Sequence, residues 1–420
     1  MLMEQILSRE NLIRALNRVV RNKGSHGVDG MPVQNLRTHV IEHWDTMKVE
    51  LLSGTYQPQP VRRVEIPKPD GGVRLLGIPT VMDRLIQQAI AQVLSSIYDP
   101  MFSDHSYGFR PNRSAHGAVK KAQGYIADGN RWVVDIDLEK FFDRVNHDKL
   151  MGLLAKQIED KRLLKLIHKY LKTGIMINGV VTDNEEGTPQ GGPLSPLLSN
   201  IVLDELDKEL EKRGHQFVRY ADDCNIYVKT PKAGNRVMRS VTSYIEGKLK
   251  LKVNGNKSAV DRPWRRKFLG FSFTKHREPK VRIAKASVNR MKDKIRDITS
   301  RKRPYSMEVR IQKLNQYLMG WCGYFALADT PSVFKSLESW IRRRLRMCVW
   351  KSWKKPSTKV RKLTGLGVPK GKAHEWGNSR KGYWRISKSP ILHRALGNSY
   401  WSSRGLKSLV SRYETLRHTS

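Results

Sequence analysis

Two short acidic clusters carry the chemistry open to this sequence. In Val133-Val134-Asp135-Ile136-Asp137-Leu138 two aspartates stand two positions apart. An extended strand alternates faces, so both carboxylates point to one side while Val134 and Ile136 point to the other. Like charges on one strand face repel, and a cation between them is the simplest relief. The second cluster is Tyr220-Ala221-Asp222-Asp223, set between the apolar runs Phe217-Val218 and Ile226-Tyr227-Val228. Alone, an Asp-Asp pair is an ordinary turn. Paired with the first cluster, it suits a harder task. Mg²⁺ takes oxygen ligands, keeps several waters and binds one or two carboxylates together with substrate phosphates. Two such ions about 4 Å apart activate a 3′-hydroxyl and stabilise a leaving pyrophosphate. Two-metal phosphoryl transfer is the chemistry that these residue types allow.

The pattern also names the elements that must position these acids. RWVVDIDL (131–138) reads as a strand, and residues 217–228 read as a hairpin with Asp222 and Asp223 at its tip. Residues 55–79 read as two strands joined by Pro-Asp-Gly-Gly, in which Pro sets φ and Gly takes left-handed positions. Apolar residues at helical spacing (Leu85, Ile86, Ala89, Ile90, Val93) predict a helix from Thr80. Ser114 is the expected N-cap of a helix running to about Ile126, and 161–171 reads as another helix. Residues 1–60 read as a helix followed by a loop with turns, because the glycine-rich stretch 21–30 cannot lie inside a helix. Beyond residue 280 the period is helical throughout: Val288, Met291, Ile295, Ile298, then Leu314, Leu318, Trp321, Phe325, then Ile341, Leu345, Cys348. The aromatic residues in these stripes are expected to be core. Residues 364–384 read as a linker into a small basic terminal unit.

Charge sets the partner class. The 420 residues carry 78 Lys+Arg against 39 Asp+Glu, a net of +39. Residues 1–280 hold 45 basic and 32 acidic side chains, and residues 281–420 hold 33 and 7. An excess of that density weakens a compact fold unless a polyanion neutralises it, which points to nucleic acid. Ten Trp, 14 Tyr and 10 Phe exclude a disordered basic tail. No apolar run of about 18 residues is present to span a membrane. The isolated Cys224, Cys322 and Cys348 supply neither a disulfide framework nor a zinc-binding pair. The N-terminal MLMEQILSRENLIRAL reads as an amphipathic helix and not as a secretory signal. A soluble protein of the cytoplasm is expected.

Tyr220-Ala221-Asp222-Asp223 resembles the YxDD box of reverse transcriptases. Together with SYGFRPNRSAH (106–116), EGTPQGGPLSPLLSNIVL (186–203), VNGNKS (253–258) and KFLGF (267–271), it resembles the reverse transcriptase/maturase proteins of mobile group II introns. GVDG (27–30) is similar to that family's N-terminal extension and GWCGYF (320–325) to its maturase region. The resemblance implies an α+β fold: a right-hand polymerase, with fingers and palm built on antiparallel sheet, then an α-helical thumb and a small basic C-terminal unit. The implied domains are an N-terminal extension (1–60), fingers and palm (61–280), thumb or maturase (281–363) and a basic DNA-binding unit (364–420).

Site roles follow from the same resemblance. The first catalytic aspartate lies five residues before an aromatic that crowds the sugar 2′ position; Phe142 is that aromatic, so Asp137 is selected over Asp135. Asp137, Asp222 and Asp223 would hold two Mg²⁺ ions, with Leu138 adding a backbone carbonyl. Lys68 and Arg74 would hold the incoming triphosphate, and Gln190 would lie beside its sugar and base. Lys257 would donate a proton to pyrophosphate. Arg110 and Arg113 would touch template or primer backbone, a structural role being equally open to them. The implied partners are intron RNA, an RNA template with DNA primer, target DNA and dNTPs. The implied function is copying intron RNA into DNA during retrohoming and assisting its splicing. The alternatives are a maturase without polymerase activity, or a domesticated enzyme of the retron, diversity-generating or CRISPR-associated kind. Many relatives end in a zinc-bearing endonuclease. Here Cys348 is the last cysteine and the later histidines lack ligand spacing, so an existing 3′ end, such as a nascent strand at a replication fork, is the expected primer. That is the habit of a compact bacterial lineage.

Overall fold

Apolar residues recurring every three or four positions make the N-terminal region helical. In a computed structural model, which describes residues 1–67, 71–177, 180–182, 187 and 191–418, it forms α1 (Leu2–Ile6), α2 (Arg9–Arg21) and α3 (Leu36–Ser53). The Ser8 hydroxyl caps α2 by accepting from the Asn11 amide. The loop expected before residue 60 contains α3, which Gly54 ends at φ +76°. Its pattern hid it: α3 buries only Leu36, Met47 and Leu51 while Ile41 and Val49 face outward.

The chain divides into two units, Met1–Pro263 and Trp264–Ser420. The first continues with β1 (Val61–Pro67), β2 (Val73–Ile78), α4 (Val81–Tyr98), α5 (Ala115–Ala127), β3 (Trp132–Ile136), α6 (His147–Ala155), α7 (Lys161–Lys172), β4 (Ile175–Ile177), β5 (Val180–Thr182), α8 (Ser195–Lys212), β6 (Gln216–Tyr220), β7 (Asp223–Val228), α9 (Pro231–Gly247) and β8 (Ala259–Asp261). Ser114 caps α5 as expected, accepting from the Gly117 amide. One sheet has the order β2-β1-β4-β5. It departs from pure antiparallel pairing, because β1 and β4 run parallel; the long crossover through α4–α7 permits that. Its base is fastened by a buried carboxylate. Asp83 of α4 accepts from the hydroxyls of Tyr56 (2.8 Å), Thr80 (2.8 Å) and Tyr170 (3.2 Å) and from the Gln59 amide (3.1 Å). Burial pushes the Asp83 carboxyl above its ordinary value.

The second sheet, β6-β7-β3-β8, is antiparallel throughout. Val134, Ile136, Ile226 and Val228 share one face and join a core with Leu197 and Ile201 of α8 and Val237, Val241 and Ile245 of α9. Val134, Ile136 and Ile226 are at most 1% exposed. Each buried aliphatic side chain contributes about 1.5–3 kcal/mol, and a one-residue slip would turn all of them to the other face. The apolar side of β3 therefore sets the register in which its acids stand.

The second unit holds β9 (Phe271–Phe273) and β10 (Val281–Ile283), an antiparallel pair, then α10 (Lys285–Ile298), α11 (Met307–Phe325), α12 (Pro331–Ser352), α13 (Pro356–Gly365), α14 (Lys370–Gly377), α15 (Tyr383–Ile386), α16 (Pro390–Ala395), α17 (Asn398–Ser403) and α18 (Leu409–His418). Met291, Ile295, Leu314, Leu318, Trp321, Phe325, Ile341 and Leu345 are buried, so the aromatic stripe residues are core. The linker read over 364–384 is replaced by the end of α13, α14 and α15. Its glycines sit at helix ends, with Gly365 and Gly377 closing α13 and α14 and Gly367 at φ +80°. Each unit carries 39 basic residues, but the first has 31 acids and the second only 8. Among the described residues no helix is long and apolar enough to cross a membrane.

Candidate active site

The hairpin of β6 and β7 pairs Tyr220 with Asp223, which leaves Ala221 and Asp222 as a two-residue turn. Ala221 has φ +55°. Such turns need positive φ at their first central residue and usually recruit Gly, Asn or Asp. For an Ala the conformation costs about 1–2 kcal/mol, so something must hold it.

Arg219, one residue before the YxDD box, does so. Its side chain and that of Asp207 on α8 are both fully buried. The guanidinium donates twice to Asp207, from Nε at 2.7 Å and from Nη2 at 2.6 Å. Nη2 also donates to the Ser106 hydroxyl at 2.8 Å. Nη1 donates to Asn200 Oδ1 at 3.0 Å and to the carbonyl of Ala221 at 2.8 Å. All five donors of the fork are thereby used, one of them on the turn that presents Asp222. The Asn200 amide donates to the carbonyl of Gly108 at 2.8 Å. A Cβ on Gly108 would collide with the Ala221 backbone, its Cα lying only 3.0 Å away. Glycine at 108 is thus a requirement of close backbone approach.

Asp137 arrives from the neighbouring strand. β3 pairs with β7 up to Ile136 opposite Cys224, and Asp137 and Asp223 are the next residue on each side of that last pair. Asp137 lies just past the end of β3, and the loop at 254–258 secures it. The Asn254 amide donates to the Asp137 carbonyl at 2.8 Å, and the Asp137 amide donates to the Ser258 hydroxyl at 3.0 Å. Leu138 bridges to Val253. Lys257 is exposed within that same loop, so its backbone is fixed relative to Asp137. Asp135 stands inside the strand opposite the buried Asn225. Asp137 and Asp222 are half-buried and Asp223 is exposed.

Phe142 sits in a 3-10 turn (Phe141–Asp143) entered through Lys140 at φ +49°. Phe141 is core, whereas Phe142 is half-buried and meets it edge to face with ring centroids 5.2 Å apart. Gly187, at φ +91°, is pressed on this turn. A Cβ there would lie 2.6 Å from the Phe142 carbonyl oxygen. His147 Nε2 donates to the Gly187 carbonyl at 2.6 Å. Gly191, at φ +125°, is as tightly placed, its hypothetical Cβ 2.7 Å from the Gly77 carbonyl oxygen at the end of β2. Gln190, Lys68 and the side chain of Arg74 lie outside the described residues.

Arg110 serves its own loop. Its side chain is 5% exposed and donates to Asp99 Oδ1 (2.7 Å) and to the carbonyls of Asp99, Ser103 and Ser106. Of the two roles open to it from sequence, the structural one accounts for these bonds. Arg113 is 30% exposed, pairs with the outward Asp104 at 2.6 Å and lies over the Tyr107 ring.

Sequence reading missed Arg219, Asp207, Asn200, Gly108, Asn254 and Ser258. One signal was available: in α8, Asn200, Asp204 and Asp207 fall on the buried stripe among Leu197, Ile201, Leu203 and Leu206. Polar residues on an apolar stripe need buried partners.

Among the described residues no three His, Cys, Asp or Glu side chains already cluster to hold a metal ion. The carboxylate oxygens that Asp137, Asp222 and Asp223 offer nonetheless suit a hard divalent cation. Without such a cation the like charges favour separation.

A four-stranded antiparallel palm with acids at the end of its central strands, joined to a basic helical unit, defines a right-hand nucleic-acid polymerase. Residues 66–273 match the reverse transcriptase (RNA-dependent DNA polymerase) family and residues 288–365 match the group II intron maturase-specific domain. The chain belongs to the reverse transcriptases of group II introns that carry a maturase domain. It is 35% identical to protein YkfC of Escherichia coli over 299 residues, 62% of this chain and 78% of that protein. It is 49% identical to the group II intron-encoded protein LtrA of Lactococcus lactis subsp. cremoris over 159 residues, 38% of this chain but 26% of LtrA. A solved partial Cas6-RT-Cas1--Cas2 complex is similar at 27% identity and a TM-score of 0.38, over 58% of this chain and 42% of that one. Reverse transcriptases generally use divalent metal ions.

Proposed function

We propose that this chain copies the RNA of a group II intron into DNA and binds that RNA as a splicing maturase. The observation that carries the catalytic reading is the strand register of β3 and β7, whose last pair is Ile136 and Cys224, so that Asp137 and Asp223 are the next residues at one end of the palm, with the Lys257 loop tied to the Asp137 backbone. Two Mg²⁺ ions, held by Asp137, Asp222 and Asp223 with help from the Leu138 carbonyl, would supply 3′-hydroxyl activation and charge neutralisation on the leaving pyrophosphate. Around them the chain positions and selects. Phe142 crowds the sugar 2′ position and rejects ribonucleotides by steric clash. Lys68 and Arg74 hold the triphosphate by charge. Gln190 lies beside the nucleotide sugar and base, and Lys257 returns a proton to pyrophosphate. Arg113 neutralises template or primer phosphate. The second unit, with its 39 basic and 8 acidic residues, grips the template–primer duplex, target DNA and folded intron RNA mainly through backbone and shape. The work is done in the bacterial cytoplasm.

Primer extension on poly(rA)/oligo(dT) with dTTP and Mg²⁺ tests this reading. Incorporation that Asp222→Asn abolishes is expected. A purified chain that binds the duplex yet incorporates nothing would reduce the function to maturase alone.

A further inference from the structure

Phe109 stands apart from every other phenylalanine among the described residues. It is 54% exposed, the only one in that state, and its backbone lies in the left-handed region at φ +59°. A bulky residue there is a genuine outlier, and such strain persists only where the surroundings over-determine it. They do so on both sides. Before it, the Tyr107 amide donates to the Arg219 carbonyl at 2.9 Å and Gly108 is locked by Asn200 against Ala221. After it, Arg110 is tied down by four hydrogen bonds of 2.6–3.0 Å. The core gains little from the ring that this framework holds out to solvent.

The location gives the ring a use. Gly108 abuts the backbone of Ala221, and Phe109 is the next residue, one Cα step of about 3.8 Å further on. We propose that Phe109 is a stacking platform for one nucleobase of the RNA template–DNA primer at the polymerising end. A flat aromatic face accepts any base, which suits an enzyme that must copy every sequence. The inference rests on the polymerase reading and adds a base contact to it.

Phe109→Gly is the discriminating variant, because it removes the ring and relieves the left-handed strain together. Thermal unfolding should stay unchanged or move upward. Affinity for an RNA/DNA template–primer, read by fluorescence anisotropy in EDTA, should fall about 5- to 100-fold, the equivalent of one lost base stack. Phe109→Trp should hold affinity within about twofold of wild type, since the indole stacks at least as well. Irradiation of duplexes carrying 5-iodouracil should crosslink to Phe109. One arm places the label in the template and the other in the primer terminus, which identifies the strand. Phe109→Gly binding equal to wild type, or crosslinks that map elsewhere in both arms, would overturn the inference. Primer extension by the same wild-type preparation separates the two readings: extension with Phe109-independent binding removes the platform alone, and absence of both binding and extension removes both.

Discussion

Replacing Arg219 by Met should cost the fold more than any single surface change, and the way that cost is recovered tests the role of the pair. Both partners are fully buried. Losing the guanidinium strands the Asp207 carboxylate, Asn200 Oδ1, the Ser106 hydroxyl and the Ala221 carbonyl. Breaking one side of a buried pair costs about 3–5 kcal/mol, which for a unit of this size lowers Tm by roughly 6–20 °C. The loss should also become pH-dependent. Burial already pushes the Asp207 carboxyl up, with Arg219 opposing it. Without Arg219 the folded-state pKa rises further above the unfolded value. Stability of the variant is then fullest below the ordinary Asp range and falls as pH rises through the folded pKa. Adding Asp207→Leu removes the stranded charge, and buried pairs replaced by apolar groups are often neutral or better. The double variant should therefore recover most of the lost Tm. It still lacks the donor to Ala221, so the turn at φ +55° relaxes and Asp222 moves. Displacements near 1 Å cost up to about a hundredfold in rate. Single-nucleotide extension should show kcat down roughly ten- to hundredfold with duplex affinity kept. A double variant with recovered Tm and wild-type kcat would refute a positioning role for Arg219.

Ser258→Ala removes the acceptor of the Asp137 amide; one such bond is worth about 0.5–1.5 kcal/mol, so kcat should fall roughly 2- to 12-fold, and an unchanged rate in single-turnover extension would free Asp137 from that loop. Asp222→Asn should abolish extension while leaving intron RNA affinity within about twofold in a filter-binding assay; equal loss of both would make the two functions inseparable. RNA affinity should fall steeply between 50 and 200 mM salt, with a log–log slope proportional to the phosphates neutralised, and a flat plot would assign the basic residues no part in binding. Asp83 has a carboxyl raised by burial, so its contribution is full below the ordinary Asp range and is lost as pH rises through the folded pKa. Asp83→Asn should flatten that part of the Tm-against-pH curve, and an unaltered curve would place the titration elsewhere.

The palm was legible because its two signals are local. Alternation in 131–138 and the symmetric apolar flanks of 217–228 predict β3 and the β6–β7 hairpin, and the thumb helices follow from strict apolar spacing. What stayed hidden has non-local causes. α3 was lost because outward Ile41 and Val49 break its stripe. The glycines of 364–384 signal breaks without saying whether the pieces between them are helices. The clamp on the YxDD turn joins residues 106, 200, 207 and 219 through one buried side chain, and no spacing rule links positions so far apart. Arg110 is the reverse case: the sequence leaves a phosphate contact and a structural role equally open, and only its bonds to Asp99, Ser103 and Ser106 bring the structural one into view.

The strand order of the palm has a consequence for how the protein is made. β3 is central, yet both of its neighbours come later in the chain, β7 at Asp223–Val228 and β8 at Ala259–Asp261. A ribosome adding about 5–20 residues per second leaves β3 with two open edges for on the order of ten seconds, a span in which unpaired strands invite wrong partners. The loop that secures Asp137 at residues 254–258 arrives at the end of that wait. A nascent fragment stopped earlier lacks the anchor of its first catalytic acid, so synthesis itself acts as a timer that withholds the assembled palm until the chain has reached its second unit.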